Sequence, residues 1–168
     1  MSKQVEIERK YVIKMPNVEL LKTKEGYSES NIVQIYLSSD AGVTHRVRKR
    51  SFEGFVQYTE NKKIRIDTMS AYEEEREISE AEFLSLSGKI KEGTRPVIKT
   101  RYTFDFCGVT FEIDVYPDWK RSAILETELE SRDVSVKMPE FIEIISEVTG
   151  DRSYSNASMA HAFPEELI

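Results

Sequence analysis

Charged residues occupy every second position in several short stretches of this sequence, and this spacing suits the binding of metals and anions. Near the N-terminus, Glu6, Glu8 and Lys10 follow it. Side chains two residues apart lie on the same face of a β-strand, so each stretch would present its charged groups together. Further acidic stretches with this spacing are Glu73, Glu75 and Glu77; Glu112 and Asp114; and Glu126, Glu128 and Glu130. Such carboxylates can hold a hard cation such as Mg²⁺ or Mn²⁺.

Two other stretches carry basic residues at the same spacing. Arg46 and Arg48 form one pair, and Lys99 and Arg101 form the other. Lys and Arg bind phosphate oxygens, and the guanidinium group of Arg can do so through two parallel hydrogen bonds. Together, the acidic and basic stretches indicate a site for a polyphosphate with bound divalent metal.

The charged faces have two possible locations in a β-protein. In an open antiparallel sheet, one face packs on the core and the other faces water, and charges on the wet face are ordinary. Here, however, several stretches are purely acidic and others purely basic, whereas a solubilising face usually mixes both signs. About eight strands carry charge, which is enough to close a barrel with room for a ligand. We therefore favour charges on the inside.

The elements that would position these residues are mostly strands. Runs rich in Val, Ile, Tyr, Phe and Thr predict strands at 5–13, 31–38, 43–50, 54–60, 71–78, 97–106, 109–116 and 123–130. Capping and turn signals predict helices at 17–23, 79–88 and 140–149. The expected fold is α+β but mainly β: an eight-stranded antiparallel closed β-barrel with a few packed helices, formed by a single domain over residues 1–168.

Composition limits the partners. The net charge of −6 and pI near 5.2 argue against nucleic acid or an anionic membrane, which are captured by excess Lys and Arg. The single cysteine, Cys107, excludes an internal disulfide and a multi-cysteine metal site. No apolar run reaches ~18 residues, so neither a transmembrane helix nor a signal peptide is predicted. We expect a cytoplasmic monomer or homodimer that binds a small molecule.

Seven segments, in order along nearly the whole chain, resemble the CYTH superfamily, the triphosphate tunnel metalloenzymes. The first is Glu6-Ile7-Glu8-Arg9-Lys10, which matches the ExExK signature. The others are Arg46-Val47-Arg48, Glu73 to Ile78, Lys99 to Tyr102, Phe111 to Tyr116, Leu125 to Leu129, and Glu147 to Asp151 followed by Tyr154 and Asn156. The resemblance implies an eight-stranded tunnel, open at both ends, that binds triphosphates with Mg²⁺ or Mn²⁺.

The resemblance also implies residue roles. The metal ligands would be Glu6, Glu8, Glu126, Glu128 and Asp114. The phosphate-binding residues would be Lys10, Arg46, Arg48, Lys62, Lys99 and Arg101. Glu73 and Glu75 would hold a second metal or orient the attacking water, so that the catalytic set comprises Glu6, Glu8, Lys10, Glu73 and Glu75.

The sequence departs from the family pattern at two places. Asn61 stands where the fourth strand usually carries Lys, so Lys62 can take that role only through a β-bulge. Ala71 replaces an Arg that commonly precedes the third acidic stretch. The expected function is a metal-dependent triphosphatase that acts on inorganic triphosphate or on a nucleoside or other organic triphosphate. Alternatives are a class IV adenylate cyclase, a non-catalytic polyphosphate- or nucleotide-binding module, and an interaction barrel with its charges outside.

Overall fold

The computed structural model describes residues 2–167 of the chain. Its strands are β1 (Ser2–Lys14), β2 (Ser28–Leu37), β3 (Val43–Phe52), β4 (Phe55–Arg65), β5 (Ser70–Glu77), β6 (Val97–Phe106), β7 (Val109–Val115), β8 (Ser122–Glu128) and β9 (Ile144–Glu147). Its helices are α1 (Val18–Leu21), α2 (Glu80–Ser87) and α3 (Asn156–His161), with a 3₁₀-helix at Arg152–Tyr154. None of these helices is long and apolar enough to cross a membrane.

Strands β1 to β8 close into an antiparallel barrel, as predicted. Their order is β5-β4-β3-β2-β6-β7-β8-β1, and β1 pairs again with β5. The length of β1 makes this closure possible, because residues 2–7 pair with β5 while residues 8–14 pair with β8. Since side chains alternate across a closed sheet, every second residue of each strand faces the interior.

Much of the hydrophobic core lies outside the barrel wall. On one side, Phe83 of α2 packs on outward-facing residues of β2 and β3, including Ile35 and Val47. On another side, Phe104 and Leu125 are buried beneath α1 and part of the segment after β8. Apolar burial stabilises the fold at ~25 cal/mol per Å² wherever it occurs, so the outer layers can supply it while the interior stays polar.

The interior is filled by apolar side chains at one end. Val12, Tyr36 and Ile124 point inward there and are at most 4% exposed. They form one cluster with Tyr154 and Met159 of the C-terminal segment. This segment therefore closes over an end of the barrel that the family resemblance implied to be open.

The prediction of a helix at 140–149 is wrong. In the structure, β9 (Ile144–Glu147) pairs with β1, and Val148 N–H donates to the carbonyl of Lys10 at 2.9 Å. An available strand edge and the β-branched Ile144 and Ile145 favour pairing over the helical propensity of the neighbouring glutamates. The predicted helix at 79–88 is confirmed as α2, with Ser79 Oγ accepting from Glu82 N–H at 3.1 Å.

The C-terminal segment meets the β4–β5 loop at a glycine, and this contact generates a prediction. Gly150 has φ of +79°, and an added Cβ would lie 2.9 Å from Thr68 Cβ and 3.1 Å from the Thr68 carbonyl oxygen. Gly42 is a matched control, because its φ is also +79° while its added Cβ would meet no described atom within 4 Å.

We expect Gly150→Ala to lower the free energy of unfolding by about 3 kcal/mol, against about 1 kcal/mol for Gly42→Ala. In thermal unfolding, Gly42→Ala should therefore shift Tm by about 2–4 °C and Gly150→Ala by clearly more. Equal Tm values for the two variants would contradict the tight packing of this segment on the barrel.

Candidate active site

A cavity of about 870 Å³ occupies the barrel interior. Ten of the residues to which the sequence analysis assigned roles line it: Glu6, Glu8, Lys10, Arg46, Arg48, Glu73, Lys99, Arg101, Glu126 and Glu128. They come from β1, β3, β5, β6 and β8, and the antiparallel register brings them together because each lies on the inward-facing set of its strand.

Three acidic residues of the cavity repel one another. Glu8 and Glu128 are directly opposite across β1 and β8. Burial, together with the charges of Glu126 and Glu6, raises the pKa of Glu8 to about 7. Burial also raises the pKa of Glu128, together with the charges of Glu6 and Glu112. A cation between these carboxylates would relieve the repulsion.

The chemistry of these carboxylates fits a hard divalent ion. Mg²⁺ and Mn²⁺ prefer oxygen ligands, and Glu6, Glu8 and Glu128 supply them from two neighbouring strands. As they stand, no three described His, Cys, Asp or Glu side chains form a group that could hold a metal ion. One reason is that Glu6 is paired with a lysine, Lys63, so rotation of these side chains would have to accompany metal binding.

Asp114 is not placed as a metal ligand, contrary to the prediction. Its Oδ1 accepts from Arg101 Nε at 2.7 Å, and its Oδ2 accepts from Lys99 Nζ at 2.6 Å and from Arg101 Nη2 at 2.9 Å. Burial alone would raise its pKa, but the charges of Arg101 and Lys99 hold the pKa well below the ordinary value. Asp114 is a counter-ion that keeps two cations in the wall.

Glu126 is similarly compensated. Its Oε1 lies 3.3 Å from Lys10 Nζ, and its Oε2 lies 4.0 Å from Arg101 Nη2. Although burial opposes ionisation, the charge of Lys10 lowers the pKa of Glu126 to about 2. Glu126 thus joins the paired part of the interior, next to the metal-ligand candidates Glu8 and Glu128.

The arginines of β3 are compensated less completely, although Arg46 Nη2 lies 3.9 Å from Glu73 Oε1. Arg46 Nε and Arg48 Nε are buried and have no hydrogen-bond partner among the described residues. Burial, together with the neighbouring charges of Arg46 and Arg101, lowers the pKa of Arg48 to about 10. Buried donors without partners are rare and costly in native proteins. An anion in the cavity would satisfy both groups.

The prediction that Lys62 reaches the phosphate-binding site through a β-bulge is wrong. Strands β3 and β4 pair in continuous register from Val43↔Ile64 to Phe52↔Phe55, so there is no bulge, and Lys62 is exposed on the outer face. There it lines a separate cavity of about 430 Å³ beside His45. The strand was predicted to end at residue 60, but it continues to Arg65 and thereby sets the inward face.

Sequence reasoning missed Lys63, which faces inward on β4 and pairs with Glu6. Asn61 also faces inward, and its Nδ2 donates to Glu73 at 2.5 Å and to Glu75 at 3.2 Å. Counting in twos along an extended β4 would have found both residues. Glu75 itself is exposed and is absent from the cavity lining.

The C-terminal segment adds wall residues that the sequence did not assign to roles. Asn156 Oδ1 accepts from Tyr116 OH at 2.7 Å and from Lys99 Nζ at 3.4 Å. The Tyr154 carbonyl accepts from Lys10 Nζ at 3.3 Å. These contacts fix two cavity lysines from the filled end of the barrel.

Comparisons with known proteins identify the fold through solved structures. No family model and no curated protein matches the chain. The chain is similar to the inorganic triphosphatase NE1496, with 27% identity, a TM-score of 0.60 and coverage of 95% of this chain and 97% of that one. It has 22% identity and a TM-score of 0.59 to the PH1819 protein from Pyrococcus horikoshii OT3, over 76% of this chain and 80% of that one. The likeness to NE1496 thus extends over nearly the whole of both chains.

The raised pKa of Glu8 predicts how stability depends on pH. Folding favours the protonated carboxyl, so between the ordinary pKa of 4.5 and the folded value of about 7 the native state holds a proton that the unfolded state has lost. Stability therefore falls as pH rises through this window. In metal-free protein, Glu8→Gln should be more stable than wild type by about 2 kcal/mol at pH 8 and equally stable near pH 4.

Chemical denaturation with a chelator present would measure this difference. Glu74→Gln is the control, because Glu74 lies on the outer face of β5 opposite Lys62. A Glu8→Gln variant that is no more stable than wild type at pH 8 would contradict the repulsion among the carboxylates.

Proposed function

We propose that this chain, as a member of the CYTH superfamily of triphosphate tunnel proteins, is a metal-dependent triphosphatase. NE1496, an inorganic triphosphatase, is the solved structure that supports this activity, since its likeness covers almost all of both chains. The substrate is inorganic triphosphate or an organic triphosphate. The reaction is hydrolysis of a phosphoanhydride bond.

One observation carries the proposal. The same cavity holds two buried arginines with unpartnered Nε groups, Arg46 and Arg48, and two carboxyls, Glu8 and Glu128, whose pKa values are raised by burial and by neighbouring carboxylates. A simple anion would satisfy the arginines but would repel the carboxylates. A simple cation would do the reverse. A metal–polyphosphate complex satisfies both groups at once.

The residues that line the cavity would then have two separate roles, phosphate binding and metal binding. Arg46, Arg48 and Lys63 would bind and orient the phosphate oxygens, with Arg able to make bidentate contacts. Glu6, Glu8 and Glu128 would hold Mg²⁺ or Mn²⁺, which, when bound, neutralises charge that develops on the phosphate oxygens. Phosphoryl transfer needs little covalent help, so orientation and electrostatic stabilisation account for most of the catalysis.

Glu73 is the residue we assign to the attacking water. It lines the cavity, and Asn61 Nδ2 donates to its Oε1 at 2.5 Å, which leaves its other oxygen available to accept from a water. Arg46 Nη2 lies 3.9 Å from Oε1, on the phosphate-binding wall. Glu73 would thus orient a water beside the bound phosphates for in-line displacement.

The competing functions differ in their products. An interaction barrel with its charges outside does not fit, because the register directs the charged rows inward. A class IV adenylate cyclase would release pyrophosphate and cyclic AMP from ATP, because a ribose hydroxyl replaces water as the nucleophile. A non-catalytic binding module would be stabilised against unfolding by triphosphate and would release neither phosphate nor pyrophosphate.

The adjacent lysines of β4 give a matched test of the activity. With Mg²⁺ or Mn²⁺, the wild type should release phosphate from inorganic triphosphate. Lys63→Met removes an inward cation and should lower kcat/KM about 100-fold, a typical cost of losing one charge-stabilising group. Lys62→Met removes an outward cation and should change kcat/KM by less than about twofold.

Phosphate and pyrophosphate release, measured in parallel from triphosphate and from ATP, decides among the functions. Pyrophosphate with cyclic AMP from ATP would replace the triphosphatase by the cyclase. An equal loss of activity in the two lysine variants would refute the assignment of β4 faces.

Metal binding has a separate readout. Glu128→Gln should weaken Mn²⁺ binding in the presence of triphosphate by about tenfold or more, whereas Glu74→Gln should leave it unchanged. Electron paramagnetic resonance of free Mn²⁺ measures this affinity without turnover. Because the ligand carboxylates must be ionised, the wild-type affinity should also fall below pH 7, where Glu8 becomes protonated. A flat affinity from pH 8 to pH 5 would contradict the proposed ligands.

A further inference from the structure

The interior cavity continues beyond the phosphate-binding wall to an opening in the barrel. Its lining passes from Arg48 and Arg46 to three segments, residues 42–44, 65–71 and 148–158. Each of the three segments contributes exposed residues to this lining, so the cavity meets solvent here. We call the opening between these segments the mouth. Its charges decide which ligand can extend outward from phosphates bound inside.

Inward-facing cations lead to the mouth in regular steps along β3 and β4. The register of the two strands places Arg48, then Arg46 and then Lys63 at three successive levels of the inner wall, each level being one inward-facing pair of residues. Arg65 follows Lys63 by two residues on β4, lines the cavity and forms a fourth level. Neighbouring levels are ~6.6 Å apart. A triphosphate bound at the first three levels therefore leaves the fourth level without an anion.

Arg65 is held at the mouth without losing its charge to a counter-ion. The residue directly opposite it on β5 is Ala71, which also lines the cavity and whose small side chain leaves room for the guanidinium. Arg65 Nη1 donates to the carbonyl oxygens of Asp67 at 3.2 Å and of Thr68 at 3.5 Å. Because these acceptors are neutral, they orient the guanidinium but leave its positive charge uncompensated.

A second cation reaches the mouth from the C-terminal segment. Thr68 contacts both parts of the chain, because its carbonyl accepts from Arg65 and its Cβ lies 2.9 Å from the position that a Cβ on Gly150 would take. Two residues after Gly150, Arg152 lines the cavity and is exposed. Its guanidinium forms neither a hydrogen bond nor an ion pair within residues 2–167. The mouth thus carries two arginines, one on each of two segments in contact.

The aspartates of the mouth, in contrast, already have donors. Asp67 accepts from Ser70 N–H at 3.0 Å and from Ser70 Oγ at 2.7 Å, and it pairs with Arg132. Asp151 accepts from Ser153 N–H at 3.0 Å and from Ser153 Oγ at 2.7 Å. The groups that a ligand could still satisfy at the mouth are therefore the two guanidinium groups, which favour an anion.

We propose that Arg65 and Arg152 form a subsite at the mouth for the phosphate that follows the three bound inside, so that the protein takes linear inorganic polyphosphates of four or more phosphates. The inference rests on the proposed function, because the first three phosphates occupy the cavity. It assigns a binding role to two arginines outside every charged stretch of the sequence. The fourth phosphate would accept hydrogen bonds from both guanidinium groups.

The affinities of inorganic triphosphate and inorganic tetraphosphate test this subsite. Calorimetry with a chelator present, which prevents metal-dependent turnover, gives the ratio of the triphosphate Kd to the tetraphosphate Kd. Arg65→Gln and Arg152→Gln should each lower this ratio about tenfold, the loss expected for one charge-assisted hydrogen bond. Lys89→Gln is the control, because Lys89 is exposed outside the cavity lining and its replacement also removes one positive charge.

A fall of less than about threefold in either arginine variant overturns the subsite, and so does an equal fall in Lys89→Gln. An equal weakening of both ligands leaves the ratio unchanged and therefore counts against it. Arg152→Gln removes a side chain that holds no described loop, so its result reports the charge alone, and thermal unfolding excludes loss of fold.

Failure of the proposed function has a different signature. If the wild type releases no phosphate from triphosphate with Mg²⁺ or Mn²⁺, the triphosphatase is refuted. The two dissociation constants do not depend on turnover, so they still decide whether the mouth binds a fourth phosphate.

Discussion

The cost of enclosing charge in a barrel is the constraint on which this structure depends. A buried ion without a partner costs several kcal/mol, so a closed sheet with charged inner faces must either pair its charges or hold them ready for a ligand. This interior does both. Asp114 is saturated by Lys99 and Arg101, and Glu126 pairs with Lys10. The groups left uncompensated are those that a ligand must reach.

The division of the molecule into layers follows from that constraint. A charged interior cannot supply the apolar burial that folding needs, so the apolar faces of the strands turn outward and require covers. Helix α2 covers one side through Phe83, and α1 covers another through Leu21. The C-terminal segment covers an end of the barrel and also contacts Lys10 and Lys99. Stability and site geometry therefore depend on the same peripheral elements.

The sequence predicted the eight barrel strands and the inward side of most of them, because period-two alternation is a local signal. It failed where the outcome depends on other parts of the chain. Whether Lys62 or Lys63 faces inward depends on how far β4 continues in register with β3. No local sequence signal near Glu60 predicts that the strand continues to Arg65. Residues 144–147 became a strand because β1 offered an edge. The assignment of Asp114 failed because a carboxylate in a row of carboxylates has the same sequence signature whether it binds metal or neutralises lysine.

Under the proposed function, the uncompensated groups would favour a metal-bound polyphosphate over a metal or a phosphate alone. Glu8 and Glu128 lower the energy of a cation, but a cation alone would leave Arg48 with its Nε unpartnered and its pKa lowered. A phosphate alone would satisfy Arg48 and add negative charge beside carboxylates whose pKa values are already raised. Each half of the ligand therefore improves the site for the other half. Under the proposed function, linkage would make metal and polyphosphate bind cooperatively, with each raising the affinity for the other by the same factor.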